Sequence, residues 1–327
     1  MTRVVHFYQP GPPEVQRIED IEVPAPGPGE VRIRVAAIGM NRSDLLFRAG
    51  QHPMKPPVPA GNGAEAAGLV DAVGQGVDAF AVGDAVSVVP HMDPSRGTYG
   101  ELINVAATRV MPSSPHLSPR ENGAFWASAL TAFGGLVDVG GLAAGDTVVI
   151  PAASSSVGVA AIQIARYIGA RSVALTRGAH KVERLRQLGA DRVLVAGRDD
   201  YASAVMAVSG GRGARVVFDP VGGAAVPGLA AAMASRGIYV LYGAMSGEIT
   251  PFPVAEAFDK LLTMGIFRLD YVNRPDELAR GRAFLDAALA AGQLKPLIDR
   301  EFPLARVVDA HHYMAANGQV GKILLIP

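Results

Sequence analysis

The chain has 327 residues, 49% hydrophobic and 18% charged, which is too apolar for a disordered protein and long enough for two separate cores. Lys plus Arg number 30 and Asp plus Glu 30, so no basic surface is expected to steer the protein onto nucleic acid or an anionic membrane. The absence of cysteine excludes disulfides, thiolate nucleophiles and every Cys-based zinc site, and leaves the redox compartment open.

The opening "MTRVVHFYQPGPP" lacks the apolar core and cleavage site of a secretory signal, and no window has a membrane-spanning length free of charge, Gly or Pro. A cytoplasmic protein with no membrane partner is expected. From Thr2 to about Glu121, short β-rich runs ("VVHFYQP", "EVRIRVAAIGM", "AAGLVDAV", "DAVSVVP", "ELINVAA") sit between Gly and Pro, which predicts an irregular, mostly β module. Ser118, Pro119 and Glu121 then open a helix as N-cap, first and third positions, a capping-box arrangement.

Beyond this point strand and helix alternate. Val148 to Ile150 precedes a helix from about Val157, "SVALT" a helix from about His180, and "RVLVA" the segment "DDYASAVMAVS". "ARVVFDP" precedes "VPGLAAAMAS", and "GIYVLYG" closes the series. Such alternation predicts parallel strands with crossover helices. A helix near Pro275 to Ala291 and the strand "KILLIP" look again like the first module. The expected organisation is α/β, a doubly wound parallel sheet over residues 123–266 inserted in a mostly β domain formed by residues 1–122 and completed by 267–327.

The turn "VVIPAASSSVGVAAIQIA" raises the central chemical question. A dinucleotide loop needs a tight turn, close backbone approach to the pyrophosphate and a helix packed against the sheet. Gly158 meets the last need, Ala153 and Ser155 replace glycines at the first two positions, and hydroxyls of Ser154, Ser155 and Ser156 can add donors beside the amides near Val157. The same turn could be a well-capped connection that binds nothing. Alternatively, Ser155 could be a nucleophile served by His311 or His312 and Asp219. A nucleophile elbow needs small residues two places either side, which Ala153 satisfies and Val157 does not. The following strand ends in Thr176, Arg177 and, soon after, Lys181, with no acid before Glu183. A small polar residue and two cations suit a 2′-phosphate, so NADPH is favoured over NADH, although a solvated basic helix start reads the same way.

With "MNRSD", "GAEAAGLVDAVGQGVDAFAVGDAV", "LTAF" and "AASSSVGVAAIQIARYIGA" in order, the chain resembles the medium-chain dehydrogenase/reductase superfamily over essentially its full length. Within it, the chain is most similar to the zinc-free quinone oxidoreductase, or zeta-crystallin-like, branch. The resemblance implies a GroES-like catalytic domain with an inserted Rossmann domain, an active site in the cleft between them, and a homodimer or tetramer. Asn41 falls where zinc-dependent members carry a Cys, and Ala64 where they carry a His before the Glu, here Glu65. Without a Lewis acid, alkoxide polarisation is difficult, whereas hydride addition to an electron-poor acceptor needs only placement and a proton.

By the same resemblance Asn41 and Asp44 face the nicotinamide and substrate, and Thr131 lies near the nicotinamide ribose or carboxamide. In simpler terms Asn41 is a turn residue, Asp44 a helix N-terminal cap and Thr131 packing. The loops "VFDPVGG" and "LYGAMSG" end later strands where cofactors bind in such sheets, and contribute Val221, Gly222, Gly243, Ala244 and Met245. Many relatives carry tyrosines after the Asp, whereas this chain has Leu46 and His52; His52 is a proton-donor candidate or an exposed loop residue. The expected activity is NADPH-dependent, metal-independent reduction of a quinone or an α,β-unsaturated carbonyl. A non-catalytic NADPH-binding protein, crystallin-like or a sensor, and a serine hydrolase are the alternatives.

Overall fold

The β-rich opening folds as expected and adds elements that the sequence pattern hid. A computed structural model describes residues 1–93 and 96–327, which divide into two units. Unit 1 comprises residues 1–127, 270–279 and 296–327, and unit 2 residues 128–269 and 280–295. Unit 1 begins with β1 (Thr2–Phe7), β2 (Gln16–Ile21), β3 (Glu30–Gly39), α1 (Arg42–Arg48), β4 (Ala60–Gly61), β5 (Ala66–Val73), β6 (Ala85–Val88), β7 (Leu102–Ala106) and β8 (Val110–Pro112). The helix α2 (Pro119–Phe133) follows, opened by the expected capping box: Ser118 N–H donates to Glu121 Oε2 and Glu121 N–H to Ser118 Oγ. Strand β3 alternates in burial, with Val31, Ile33 and Val35 turned into the unit 1 core.

Unit 2 carries β9 (Thr147–Ile150), α3 (Ser156–Ile168), β10 (Arg171–Thr176), α4 (Val182–Gln187), β11 (Arg192–Val195), α5 (Tyr201–Ser209), β12 (Ala214–Asp219), α6 (Val226–Ala231), β13 (Met233–Leu241), α7 (Val254–Lys260) and β14 (Thr263–Ile266). These strands form one parallel sheet in the order β11-β10-β9-β12-β13-β14, the doubly wound order of a dinucleotide fold. Every residue of β9 is buried, because helices cover both faces of the sheet. One expectation changes. "MAS" (233–235), read as the end of a helix, opens β13, which lies inside the sheet with β14 at its edge.

The chain then adds α8 (Pro275–Ala290), β15 (Ile298–Pro303), α9 (Val307–Ala315) and β16 (Lys322–Ile326). Strand β16 pairs antiparallel with β3 and parallel with β15, so the C-terminus completes the unit 1 sheet β15-β16-β3-β5-β6-β8. Residues 280–295, expected to return to the first domain, group with unit 2 instead. The cause is aromatic packing: the Phe284 ring lies 5.1 Å from Phe133 and 5.4 Å from Tyr167. Among the described residues no helix is long and apolar enough to cross a membrane.

Candidate active site

The serine turn stands at the carboxyl end of β9, where α3 begins. Ser155 is the N-cap: its backbone is extended (φ −69°, ψ 161°) and its Oγ accepts the Gly158 N–H at 3.0 Å. A first helical turn leaves amides without intrahelical acceptors, so those of Ser156 and Val157 remain at the positive end of the helix dipole. Gly158 lets α3 approach, since a Cβ there would stand 2.6 Å from the Ala153 Cα. The bend is made by Ala152, at φ 49°, immediately before the position where the pattern placed the first glycine. Lys181, buried, donates to Ser154 Oγ at 3.2 Å, Thr176 is buried and accepts the Gly178 N–H, and Arg177 is exposed. Ser154, Ser155, Ser156, Val157, Gly158, Thr176 and Lys181 are thus gathered at one end of the sheet, in the polar arrangement a phosphate-bearing nucleotide requires.

The later strand ends are stitched together. Asp219 Oδ1 accepts the Val221 N–H and Oδ2 the Gly222 N–H, while the Tyr239 hydroxyl donates to Oδ2 at 2.8 Å. The Met245 N–H donates to the Pro220 carbonyl and Ser246 N–H to that of Val221, which holds the loop of Gly243, Ala244 and Met245 beside the first. Sequence reasoning missed Tyr242. Its ring stacks on Phe218 at 4.0 Å, and its hydroxyl is buried beside Ser155 with no hydrogen bond of good geometry. Thr131 is half-buried in the last turn of α2.

Three members of the hydrolase constellation have other partners and the fourth is buried in unit 1. Ser155 Oγ caps α3, Asp219 serves two amides and a tyrosine, His312 pairs with Glu14 at 2.6 Å, and His311 is buried in unit 1 against Tyr99.

Unit 1 buries a charged network that the sequence pattern revealed only in part. Asn41 is the N-cap of α1 and Asp44 its third residue; Asp44 Oδ2 accepts the Asn41 N–H at 2.8 Å and the Tyr99 hydroxyl at 3.1 Å. Asp44 was expected to face the substrate. It is 0% exposed and holds the backbone N–H of Asn41. Burial pushes its carboxyl up to about 6, against the lowering effects of the Asn41 N–H, Lys322 and Tyr99. Glu65 Oε2 pairs with Lys322 Nζ at 2.6 Å, and its Oε1 accepts the Ala127 N–H. The only forewarning of Lys322 was a charge opening the apolar run "KILLIP". Arg48 and His311 are also buried; two guanidinium nitrogens and both ring nitrogens lack partners among the described residues.

His52 is half-buried with its ring 6.2 Å from Phe47, and its Nδ1 accepts the Met54 N–H. The neutral ring therefore carries its proton on Nε2, and burial lowers its pKa.

The alcohol dehydrogenase GroES-like domain model matches residues 27–116 and the zinc-binding dehydrogenase model residues 156–280. A 2-haloacrylate reductase of Burkholderia sp is 31% identical over 336 aligned positions, covering 100% of this chain and 99% of its own. The chain belongs to the medium-chain dehydrogenase/reductase superfamily. This oxidoreductase falls in the zinc-free quinone oxidoreductase branch and uses a nicotinamide cofactor. An Escherichia coli quinone oxidoreductase complexed with NADPH superposes with a TM-score of 0.91 at 27% identity, covering 99% of this chain and 100% of the other. A structure described as an NAD-dependent alcohol dehydrogenase gives a TM-score of 0.91 at 32% identity, covering 99% of each chain.

Proposed function

We propose that this oxidoreductase is an NADPH-dependent, metal-independent reductase of quinones or α,β-unsaturated carbonyl compounds. The observation that carries the reading is the capped start of α3. The amides of Ser156 and Val157, the hydroxyl of Ser154 and the cation of Lys181 converge there as an anion-binding set. The orphaned Tyr242 hydroxyl beside Ser155 adds a polar atom that a bound nucleotide would satisfy. Lys181 and Arg177 would meet the 2′-phosphate, and Thr131, Val221, Gly222, Gly243, Ala244 and Met245 would border the rest of the dinucleotide. When bound, NADPH supplies a hydride from C4 of its nicotinamide ring.

Asn41 would contact the acceptor, with Asp44 holding its backbone from beneath. Zinc chemistry of the Cys-ligated kind is closed to a chain without cysteine. The proton that completes reduction is assigned to solvent rather than His52, because a histidine neutral at physiological pH is a poor acid. The edge strand β14 presents Ile266 at 82% exposure, near the sequence positions of Phe258 at 85% and Ile249 at 94%. An uncovered apolar edge invites pairing, which supports a homodimer through β14.

The test is oxidation of NADPH, with NADH as control, against quinones, enones, enoyl thioesters and 2-haloacrylates. Turnover is expected with NADPH, and replacement of Arg177 and Lys181 by Ala should raise its KM by ~10-fold or more, corresponding to loss of about one charge-assisted hydrogen bond. Cofactor binding without turnover on any acceptor would favour the non-catalytic reading, and equal use of NADH would remove the 2′-phosphate assignment.

A further inference from the structure

Strand register sets Lys322 opposite Asn41: β16 pairs with β3 at Leu324 and Gly39, and the antiparallel count continues past the end of β3 to those two residues. Lys322, 1% exposed, places Nζ 2.8 Å from Asn41 Oδ1 and 2.6 Å from Glu65 Oε2. On its other side, Asn41 Nδ2 donates to the Gly39 carbonyl at 3.1 Å. An ammonium has donors only, so it dictates that the amide oxygen, not the NH2, faces Lys322. The oxygen and one N–H of Asn41 are therefore engaged within the protein. The second N–H has no acceptor among the described residues, on a side chain that is only half-buried.

We propose that Lys322 is a positioning residue that locks Asn41 as a hydrogen-bond donor toward the carbonyl oxygen of the acceptor. The proposal rests on the reductase reading above and narrows it, since an acceptor must then bring an oxygen with a free lone pair. Hydride addition to an enone or a quinone drives negative charge onto that oxygen. A donor already fixed in place stabilises the charge without reorganisation. Glu65 keeps the ammonium stationary, anchored through its second oxygen on the Ala127 N–H at 2.7 Å. Space for the pair exists because Gly39 has no side chain; a Cβ there would lie 2.6 Å from Glu65 Oε2 and 2.8 Å from Lys322 Cε.

Asn41→Asp in the full-length protein keeps an oxygen for Lys322 and removes the donor. It should fold, with a melting temperature lowered because its second oxygen meets the Gly39 carbonyl without a proton between them, leave the NADPH dissociation constant unchanged, and lower kcat toward a quinone by ~100-fold. A folded Asn41→Asp enzyme with parental kcat would overturn the donor role. Lys322→Met combined with Glu65→Gln removes both buried charges together, so no orphan charge threatens folding. It frees the amide to turn, and kcat should fall by ~10-fold. The lock is also read without cofactor or acceptor, by NMR of the Asn41 side-chain amide. Two unequally protected protons are expected in the parent, one slowed by its bond to the Gly39 carbonyl, and two that exchange with solvent equally fast in the double variant; an unchanged pattern refutes the lock. A parent inactive on every acceptor sinks the reductase reading, while this spectrum still decides the lock.

Discussion

The two units treat polar groups in opposite ways. Unit 2 fills its sheet with apolar side chains and confines polarity to strand ends, where backbone amides at the start of α3 and in the loops after β12 and β13 do most of the hydrogen bonding. Unit 1 carries ionisable groups inward: Asp44, Arg48, Glu65, His311 and Lys322 all lie below its surface. A site made of backbone amides tolerates changes of side chain, which is why serines can stand where glycines are usual. A buried network of side chains tolerates very few, because removing one member leaves another charged and unpaired.

The largest effect that would sharpen this contrast is expected at Gly39. Gly39→Ala drives a Cβ to 2.3 Å from the Gly123 carbonyl and against both members of the Glu65–Lys322 pair, so unfolding in urea should show a loss of about 3 kcal/mol. Parental stability in this variant would mean that the buried pair is less tightly constrained than its geometry indicates.

A smaller effect belongs to pH. Burial first, then Arg48 and His312, push the His311 ring down to about 3 from its ordinary 6.5, so the unfolded chain binds the extra proton between those values. The contribution of His311 is therefore complete above about pH 6.5 and is lost as pH falls, by about 1.4 kcal/mol per pH unit. Asp44 has the opposite sign. Its carboxyl is raised from 3.8 to about 6, so its protonated form favours the folded state, and that contribution fades as pH rises through this range. The two offset one another from about pH 4 to 6. His311→Phe, which keeps an aromatic ring against Tyr99, should match the parent at pH 8 and become relatively more stable toward pH 5, by about 2 kcal/mol in denaturant titrations. A parallel pH dependence in both proteins would show that His311 titrates normally.

The smallest effect lies in the backbone-built region. Ser155→Ala removes one N-cap hydrogen bond and should cost about 1 kcal/mol in thermal unfolding. A fluorophosphonate should label neither the parent nor the variant. Labelling of the parent alone would revive Ser155 as a nucleophile and break the contrast between the units.

Much of the frame was legible in the chain. β5 matches "AAGLVDAV" residue for residue, the capping box at Ser118 forms, and the strands from β9 to β13 follow the alternation that announced them. What escaped was short or locally atypical. β14, a strand of four residues that begins three after the helix end at Lys260, gives no period long enough to read, and α9 was hidden in a stretch taken as part of an irregular module. Asn41, Asp44 and the serine turn were visible because they stand in ordered motifs. Lys322, Tyr99 and Tyr242 were not, since a lone lysine or tyrosine carries no periodic signal.

By itself the sequence determined the class of fold, the place of the serine turn between strand and helix, and the absence of cysteine chemistry, because each of these is written in local spacing and residue type. Only the tertiary structure decided that Lys322 meets Asn41 and Glu65, that Asp44 is buried beneath Asn41, and that β14 is the exposed edge. The reason is physical: these facts depend on register between strands as far apart in the chain as β3 and β16, and on the missing Cβ of Gly39, and neither has a counterpart in local sequence.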